Sequence, residues 1–269
     1  MARRVLMSGP EPMLHFEPMM RDAQIVYGVP RSRRGWELSE ETMPESALHD
    51  HAVKLLEAIL SWWARGRGEV QVARNLAIRW DRLNPRIGVD PDVCVLSPAP
   101  PEGIELSSVR TWQPGHAPPL LAAEVVSEND PHKDYVIAPD KYASSGTREL
   151  WVFDPLLAGP ASHGGPFRLQ VWRRDDEDRF VRAYAGDGPA YSELLAAHLV
   201  VTDGGKRLRL ADDAAGTRLW PTPEEAERTA KEAERSAKEV ERAAKERELA
   251  GKEEALARVA QLEAELRKR

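Results

Sequence analysis

Apolar positions along this chain follow three rhythms. Over about 46–65, Val53, Leu55, Leu56, Ile59, Leu60, Trp62 and Trp63 recur at three- and four-residue intervals. That spacing predicts a core-packing helix with Ser46 as its N-cap and Gly66 and Gly68 just past its end. From about 69 to 210 the apolar runs are short and bounded by turn-forming residues. EVQVA (69–73) and LAIRW (76–80) flank Arg74-Asn75 and predict a hairpin. An apolar strand follows over 93–96, and Pro100 to Pro119 reads as an extended surface loop. RLQVWRR (168–174) and RFVRAYA (179–185) alternate across DDED as two antiparallel strands. Residues 157–166 read as a loop, 191–199 as a short helix and 207–210 as a last strand.

The third rhythm begins at 222. Ala226, Ala230, Ala233, Ala237, Val240 and Ala244 form a heptad stripe, which slips at Arg247 and Gly251. It resumes on another face with Leu256, Val259, Leu262 and Leu266. The 13 acidic and 12 basic residues of 222–269 leave this tail nearly neutral and laced with i,i+4 pairs. It reads as a long helix, and as a candidate coiled coil or homo-oligomer contact. Residues 1–35 show no period. The expected organisation is an irregular lead-in over 1–35, a folded domain over 36–215 and the helical tail over 222–269.

One stretch organises the middle. Leu120 to Pro155 carries, in order, an apolar run, a polar turn (SENDPHKD), a helical piece ending in KYASSG, and a second apolar run, ELWVFDP. Strand, turn, helix, strand predicts an α/β (α+β) fold with a parallel or mixed sheet crossed by a helix. Glu124 interrupts the first run near its carboxyl end. A carboxylate buried there is costly unless it has a partner or a metal, so it marks a candidate site.

Composition narrows the picture. A chain of 269 residues allows one or two domains, and 42% hydrophobic content supports a core. The net charge of −6 argues against a strongly basic nucleic-acid binder but leaves room for a local basic cleft. The single cysteine, Cys94, excludes an internal disulfide framework and fits a reducing cytoplasm. No run of about 18 apolar residues suggests a membrane span. The first residues lack the apolar core of a signal peptide.

Spacing alone singles out Asp92 at the mouth of one strand, Glu124 near the end of another, and Lys141 on the following helix. Two carboxylates from adjacent strands suit a hard cation, Mg²⁺ or Mn²⁺, with the backbone carbonyl of Val125 as a third ligand. Such an ion polarises a phosphodiester and activates water, and a nearby ammonium stabilises the developing charge. A plainer reading stays open, in which Asp92 caps a turn, Glu124 pairs with an arginine and Lys141 lies on the surface. Glu45 is an auxiliary acid or part of a helix start. Asp134 caps a helix or flanks the site. His49 and His51 cannot share a helix face, so they form no metal pair, although one of them can approach the cleft. Trp62, Trp63 and Trp151 read as core. Ser127, His132 and Asp134 lack the glycine-flanked elbow of a nucleophilic serine.

A set of short motifs in fixed order adds to this. Pro91-Asp92-Val93, Glu124-Val-Val-Ser127, Asp134-Tyr135, Lys141-Tyr142-Ala143, Gly146 and Glu149-Leu-Trp-Val-Phe-Asp154-Pro155 resemble the Uma-type endonuclease family of the PD-(D/E)XK restriction-endonuclease-like superfamily. Pro44-Glu45-Ser46 with His49 extends the similarity, which spans about 35 to 200. The resemblance implies a restriction-endonuclease-like mixed central sheet flanked by helices, with Asp92 and Glu124 as metal ligands. It further implies hydrolysis of nucleic-acid phosphodiester bonds, with DNA the expected substrate. One departure stands out. The superfamily places a lysine two residues after the glutamate, where this chain has Val126, and the family moves it to a position that is Ala138 here. Lys141 lies about one helical turn on and is the expected substitute. Lys133, in the turn, is the poorer one. The same departure fits a catalytically degenerate protein that binds or scaffolds through its helical tail.

Overall fold

Ser46 starts the ordered core. In this computed structural model, which describes residues 36–38, 46–161 and 165–267, its side chain accepts the N–H of His49 and opens helix α1, Ala47–Ala64. Ala52, Val53, Leu56, Ile59 and Leu60 make the buried stripe of α1. Trp63 is half-buried and stacks on Trp220, with ring centres 6.4 Å apart. The irregular lead-in of 1–35 and the auxiliary candidate Glu45 lie outside the described residues.

The strands that follow are β1 (Gln71–Ala73), β2 (Ala77–Arg79), β3 (Gly88–Val89), β4 (Val93–Leu96), β5 (Ser108–Arg110), β6 (Leu121–Val125) and β7 (Glu149–Phe153). They continue with β8 (Leu169–Arg174), β9 (Phe180–Gly186), β10 (Ala190–Ser192), β11 (Ala197–Thr202) and β12 (Arg207–Ala211). Six of them form the central sheet in the order β1-β4-β6-β7-β8-β9. Only the β6–β7 pair in this sheet is parallel, so the sheet is mixed. The crossover between these two strands is a π-helical turn, Lys133–Ile137, running directly into helix α2, Ala138–Ser145. Gly146 closes α2 with φ 88°, a left-handed conformation that glycine adopts without strain; a Cβ there would meet Pro118 at 2.8 Å.

Two apolar cores sandwich the sheet. Val93, Val95, Leu121, Ala123, Val125, Trp151 and Phe153 face α1 and the antiparallel sheet β10-β11-β12. Cys94, Leu96, Ala122, Val126, Leu150 and Val152 face α2 and the sheet β3-β2-β5. This period-two division is what lets one polar side chain on β6 point toward α2 and away from α1.

Three local expectations are corrected. The runs at 69–73 and 76–80 form no hairpin, since β1 pairs with β4 while β2 pairs with β3 and β5. Asn75, at φ 46°, turns the chain from one sheet to the other, and its N–H donates to the Pro91 carbonyl. The stretch 100–119 is not all loop, because β5 runs parallel to β2 within it and buries Val109. The short helix at 191–199 is instead β10, a turn through Ala196 at φ 50°, and β11. Burial of Ala190, Leu195, Ala197 and Leu199 overrides the local helical preference there. The strand pair 168–185 forms as its alternation predicts, with a bulge between Val171 and Trp172.

The chain divides into two compact units between Trp220 and Pro221. The second unit contains helix α3, Pro223–Leu266. Thr222 and Glu225 exchange side-chain and backbone hydrogen bonds at its start, a capping box with proline at the first helical position. Glu227–Lys231, Glu234–Lys238, Glu241–Lys245 and Glu248–Lys252 then repeat one i,i+4 ion pair every seven residues, each at 2.6 Å. Among the described residues, no helix is long and apolar enough to cross a membrane.

Candidate active site

Glu124 alternates with Ala122 and Val126 and so points from β6 toward α2, where it is buried at 1% exposure. The antiparallel register of β4 and β6 pairs Val93 with Ala123. Continued by one residue, that register sets Asp92 opposite Glu124 on the same side of the sheet. The two acids are therefore neighbours because the strands that carry them are neighbours.

Hydrogen bonds fix both carboxylates. The Asp92 Oδ2 accepts the N–H of Val125 at 2.7 Å and lies 3.2 Å from the Nε2 of His49. The Tyr142 hydroxyl of α2 donates to Glu124 Oε1 at 2.6 Å. The π-helical turn brings Asp134 and Lys133 to the same place; such turns recur at functional sites. Asp134 is buried, and the half-exposed Lys133 ammonium lies 3.9 Å from its Oδ1.

These groups act on one another electrostatically. Burial pushes Glu124 up from the ordinary 4.5 to about 8; the Asp92 and Asp134 carboxylates add to the rise, while the Lys133 ammonium and the Tyr142 hydroxyl oppose it. Burial likewise holds Asp134 well above the usual carboxylate range, against the pull of Lys133. The Lys133 ammonium is held above the usual lysine range, first by Glu124 and then, after an opposing effect of burial, by Asp134, Asp92 and Asp90. Lys141 behaves differently. Burial lowers it to about 8, and the Lys133 charge lowers it further than Glu124 raises it.

The predicted residues are thus placed as follows. Asp92, Glu124 and Asp134 gather at the carboxyl end of β6, and Val125 carries its peptide group into the same spot. Lys141 is buried on α2 and feels Glu124, but Lys133 interacts with the carboxylates more strongly. Lys133 belongs to the π-helical turn and not to an irregular loop, and its half-exposed ammonium lies 3.9 Å from Asp134 Oδ1. Both positions where the wider pattern puts a lysine are apolar core, with Val126 at 2% exposure and Ala138 at 1%. His51 is exposed, whereas His49 is buried against Asp92. Spacing alone does not find the Tyr142–Glu124 bond, although the tyrosine stands in the matched motif.

Residues present at the site fit a hard divalent cation. A buried carboxylate beside two others is costly without positive charge, and the donor set is all oxygen. Among the described residues, hydrogen bonds fall on Asp92 Oδ2 and Glu124 Oε1, which leaves Oδ1 and Oε2 to ligate. Among the described residues, no group of three or more His, Cys, Asp or Glu side chains forms a metal cluster. An ion here would rely on two carboxylates, a peptide carbonyl and water.

A mixed sheet with a helical crossover and two acids at adjacent strand ends defines a nuclease-like α/β architecture. The model of the Uma2 family, described as "putative restriction endonuclease", matches residues 36–178, more than half of the chain, and the chain belongs to that family. Among solved structures, it is similar to a "putative nuclease belonging to DUF820" from Anabaena variabilis ATCC 29413. The identity there is 13%, coverage is 62% of this chain and 86% of that one, and the TM-score is 0.41. No curated protein matches the chain.

Proposed function

We propose that this protein is a divalent-metal-dependent nuclease that hydrolyses phosphodiester bonds of nucleic acid, with DNA as the expected substrate. The observation that carries the reading is the convergence of Asp92 and Glu124 on one face of neighbouring strands, with the Lys133 ammonium in their field. Asp92, Glu124 and the Val125 carbonyl would hold Mg²⁺ or Mn²⁺, which when bound supplies charge neutralisation at phosphate and a more acidic water. Lys133 carries a permanent positive charge at the half-exposed mouth and donates to a phosphate oxygen. Lys141, lowered to about 8 by burial, adds positive charge on the buried side of the site only while it stays protonated, so Lys133 is the principal cation. Tyr142 holds Glu124 in the rotamer that presents Oε2. Asp134 flanks Lys133 and steadies its ammonium.

Calorimetric titration with Mn²⁺ tests this directly, comparing the full chain with Asp92→Asn. Saturable binding that the substitution removes, together with cleavage of duplex DNA that EDTA stops, supports the reading. An unaltered isotherm in Asp92→Asn would overturn it.

A second reading rests on the apolar residues at both lysine positions, Val126 and Ala138, and on the exposed Val240, Leu249, Leu256, Val259, Leu262 and Leu266 of α3. In it the protein binds without cleaving and associates with a second copy through α3. Mn²⁺ binding without cleavage, and a light-scattering mass that falls to monomer when 222–269 is removed, would favour it.

A further inference from the structure

His49 joins α1 to the carboxylate site. It occupies the third helical position, and Ser46 accepts its backbone N–H at 3.2 Å, so the N-cap fixes where its side chain starts. The ring is buried, and its Nε2 reaches 3.2 Å from Asp92 Oδ2. The same oxygen accepts the Val125 N–H at 2.7 Å. Two groups from different elements, a helix and strand β6, thus close on one oxygen of an acid carried by the segment entering β4. With Oδ2 held from both sides, the carboxylate plane of Asp92 has little freedom. Its remaining oxygen, Oδ1, is the one available to an ion beside Glu124.

We propose that His49 is a positioning residue for this site, an inference that rests on the function proposed above. Protonated at Nε2, it donates to Asp92 Oδ2 and makes Asp92 a one-oxygen ligand with a fixed direction. Its role is not to touch substrate or ion. Asp92 is 43 residues from His49 in sequence, so only the packing of α1 against the sheet creates the contact. Outer partners of ligating side chains typically account for about 10- to 100-fold in metal affinity, and that range sets the expected effect.

The test uses the full chain and three substitutions, His49→Gln, His49→Met and Asp92→Asn, titrated with MnCl₂ by calorimetry and assayed for cleavage over a range of Mn²⁺ concentrations. Gln and Met differ mainly in the N–H donor, so their comparison separates hydrogen bonding from core packing. His49→Met is expected to weaken Mn²⁺ binding about tenfold or more, while kcat at saturating Mn²⁺ stays within about threefold of the parent. His49→Gln is expected to recover most of that affinity. Equal affinity in His49→Met and the parent would overturn the inference and leave the proposed function standing. Equal, severe loss in Gln and Met would make His49 a ligand and overturn it too. If the parent chain takes up no Mn²⁺, the proposed function itself falls, and the result is distinct from either.

Discussion

Strands β6 and β7 run side by side, and each buries one glutamate at about the same depth, yet the two are in different surroundings. Glu124 ends β6 on the α2 side of the sheet; Glu149 begins β7 on the α1 side. Both are 1% exposed, and burial raises the pKa of both. Glu149 then finds partial local support. The indole N–H of Trp151, two residues on, donates to its Oε1 at 2.7 Å, and Ser192 and Arg173 lower its pKa. Glu124 instead has two further carboxylates in its field and a half-exposed ammonium, Lys133, as its principal counter-charge. Burial of an acid is therefore not what distinguishes the site. Several carboxylates clustered in reach of a half-exposed cation distinguish it.

Neutralising each glutamate in turn should separate the two surroundings. Glu124→Gln should reduce metal-dependent cleavage to background and remove Mn²⁺ binding by calorimetry; Glu149→Gln should leave both within about twofold of the parent, since it loses no group near the site. Equal effects would mean that both acids act through stability alone. The cations come next. Lys133→Met should lower kcat by roughly a hundredfold, as expected on losing one well-placed donor to developing charge, while Arg173→Met beside Glu149 should leave kcat unchanged. Should Lys141→Met be the more damaging lysine substitution, the amine on α2 and not the one on the π-helical turn would be the phosphate partner.

What could be read in advance divides along the same line between local and distant causes. The helix from Ser46, the strand pair over 168–185 and the crossover between β6 and β7 were legible because their apolar periods are local. Glu124 was legible because an acid near the end of an apolar run has few cheap explanations, and Asp92 because it leads the next strand. The Asp92–His49 contact was not, because nothing within either segment specifies that the first turn of α1 meets the entry to β4. Lys133 was misplaced for a related reason: a π-helical turn leaves no sequence period, so SENDPHKD looks like plain turn. The missed strand β5 and the mistaken helix at 191–199 share one cause, since each pairs with a strand outside its own segment, β5 with the earlier β2 and β11 with β12 just after it.

A change of pH sharpens the comparison energetically. Glu124 has its folded pKa raised from 4.5 to about 8, so between these values the native state holds a proton that the unfolded chain releases. The destabilisation is absent below that window and complete above it, so metal-free stability should fall as pH rises from about 5 to about 8. Lys141, lowered from 10.5 to about 8, acts in the opposite direction at higher pH, where stability recovers between those values because the native state has lost a proton that the unfolded chain still holds. Urea unfolding in EDTA at the two pH values measures this. Glu124→Gln should reduce the slope to the part contributed by Asp134, which burial raises to about 7, and raise stability near pH 8 by on the order of a few kcal/mol. Glu149→Gln should act in the same direction but more weakly, because a serine, an indole and an arginine already favour its ionised form. Added Mn²⁺ should restore the parent at pH 8 and leave Glu124→Gln unaffected. A parent protein equally stable at both pH values would show that Glu124 is not carrying a buried charge.

The smallest expected effect concerns the hydrogen bond each glutamate receives. Tyr142→Phe keeps the buried ring but removes the 2.6 Å bond to Glu124 Oε1, and that bond favours the ionised carboxylate. Without it Glu124 holds its proton more tightly, so Mn²⁺ must compete harder at neutral pH. The loss should amount to about 1 kcal/mol, less than tenfold in affinity at pH 7, and it should shrink as the pH passes the Glu124 pKa and both proteins are ionised. Trp151→Phe removes the matching donor to Glu149 and should cost stability through the lost indole volume, with no change in the Mn²⁺ isotherm at either pH. A Tyr142→Phe deficit that persists undiminished at high pH would mean that the hydroxyl orients Glu124 and does not merely set its charge.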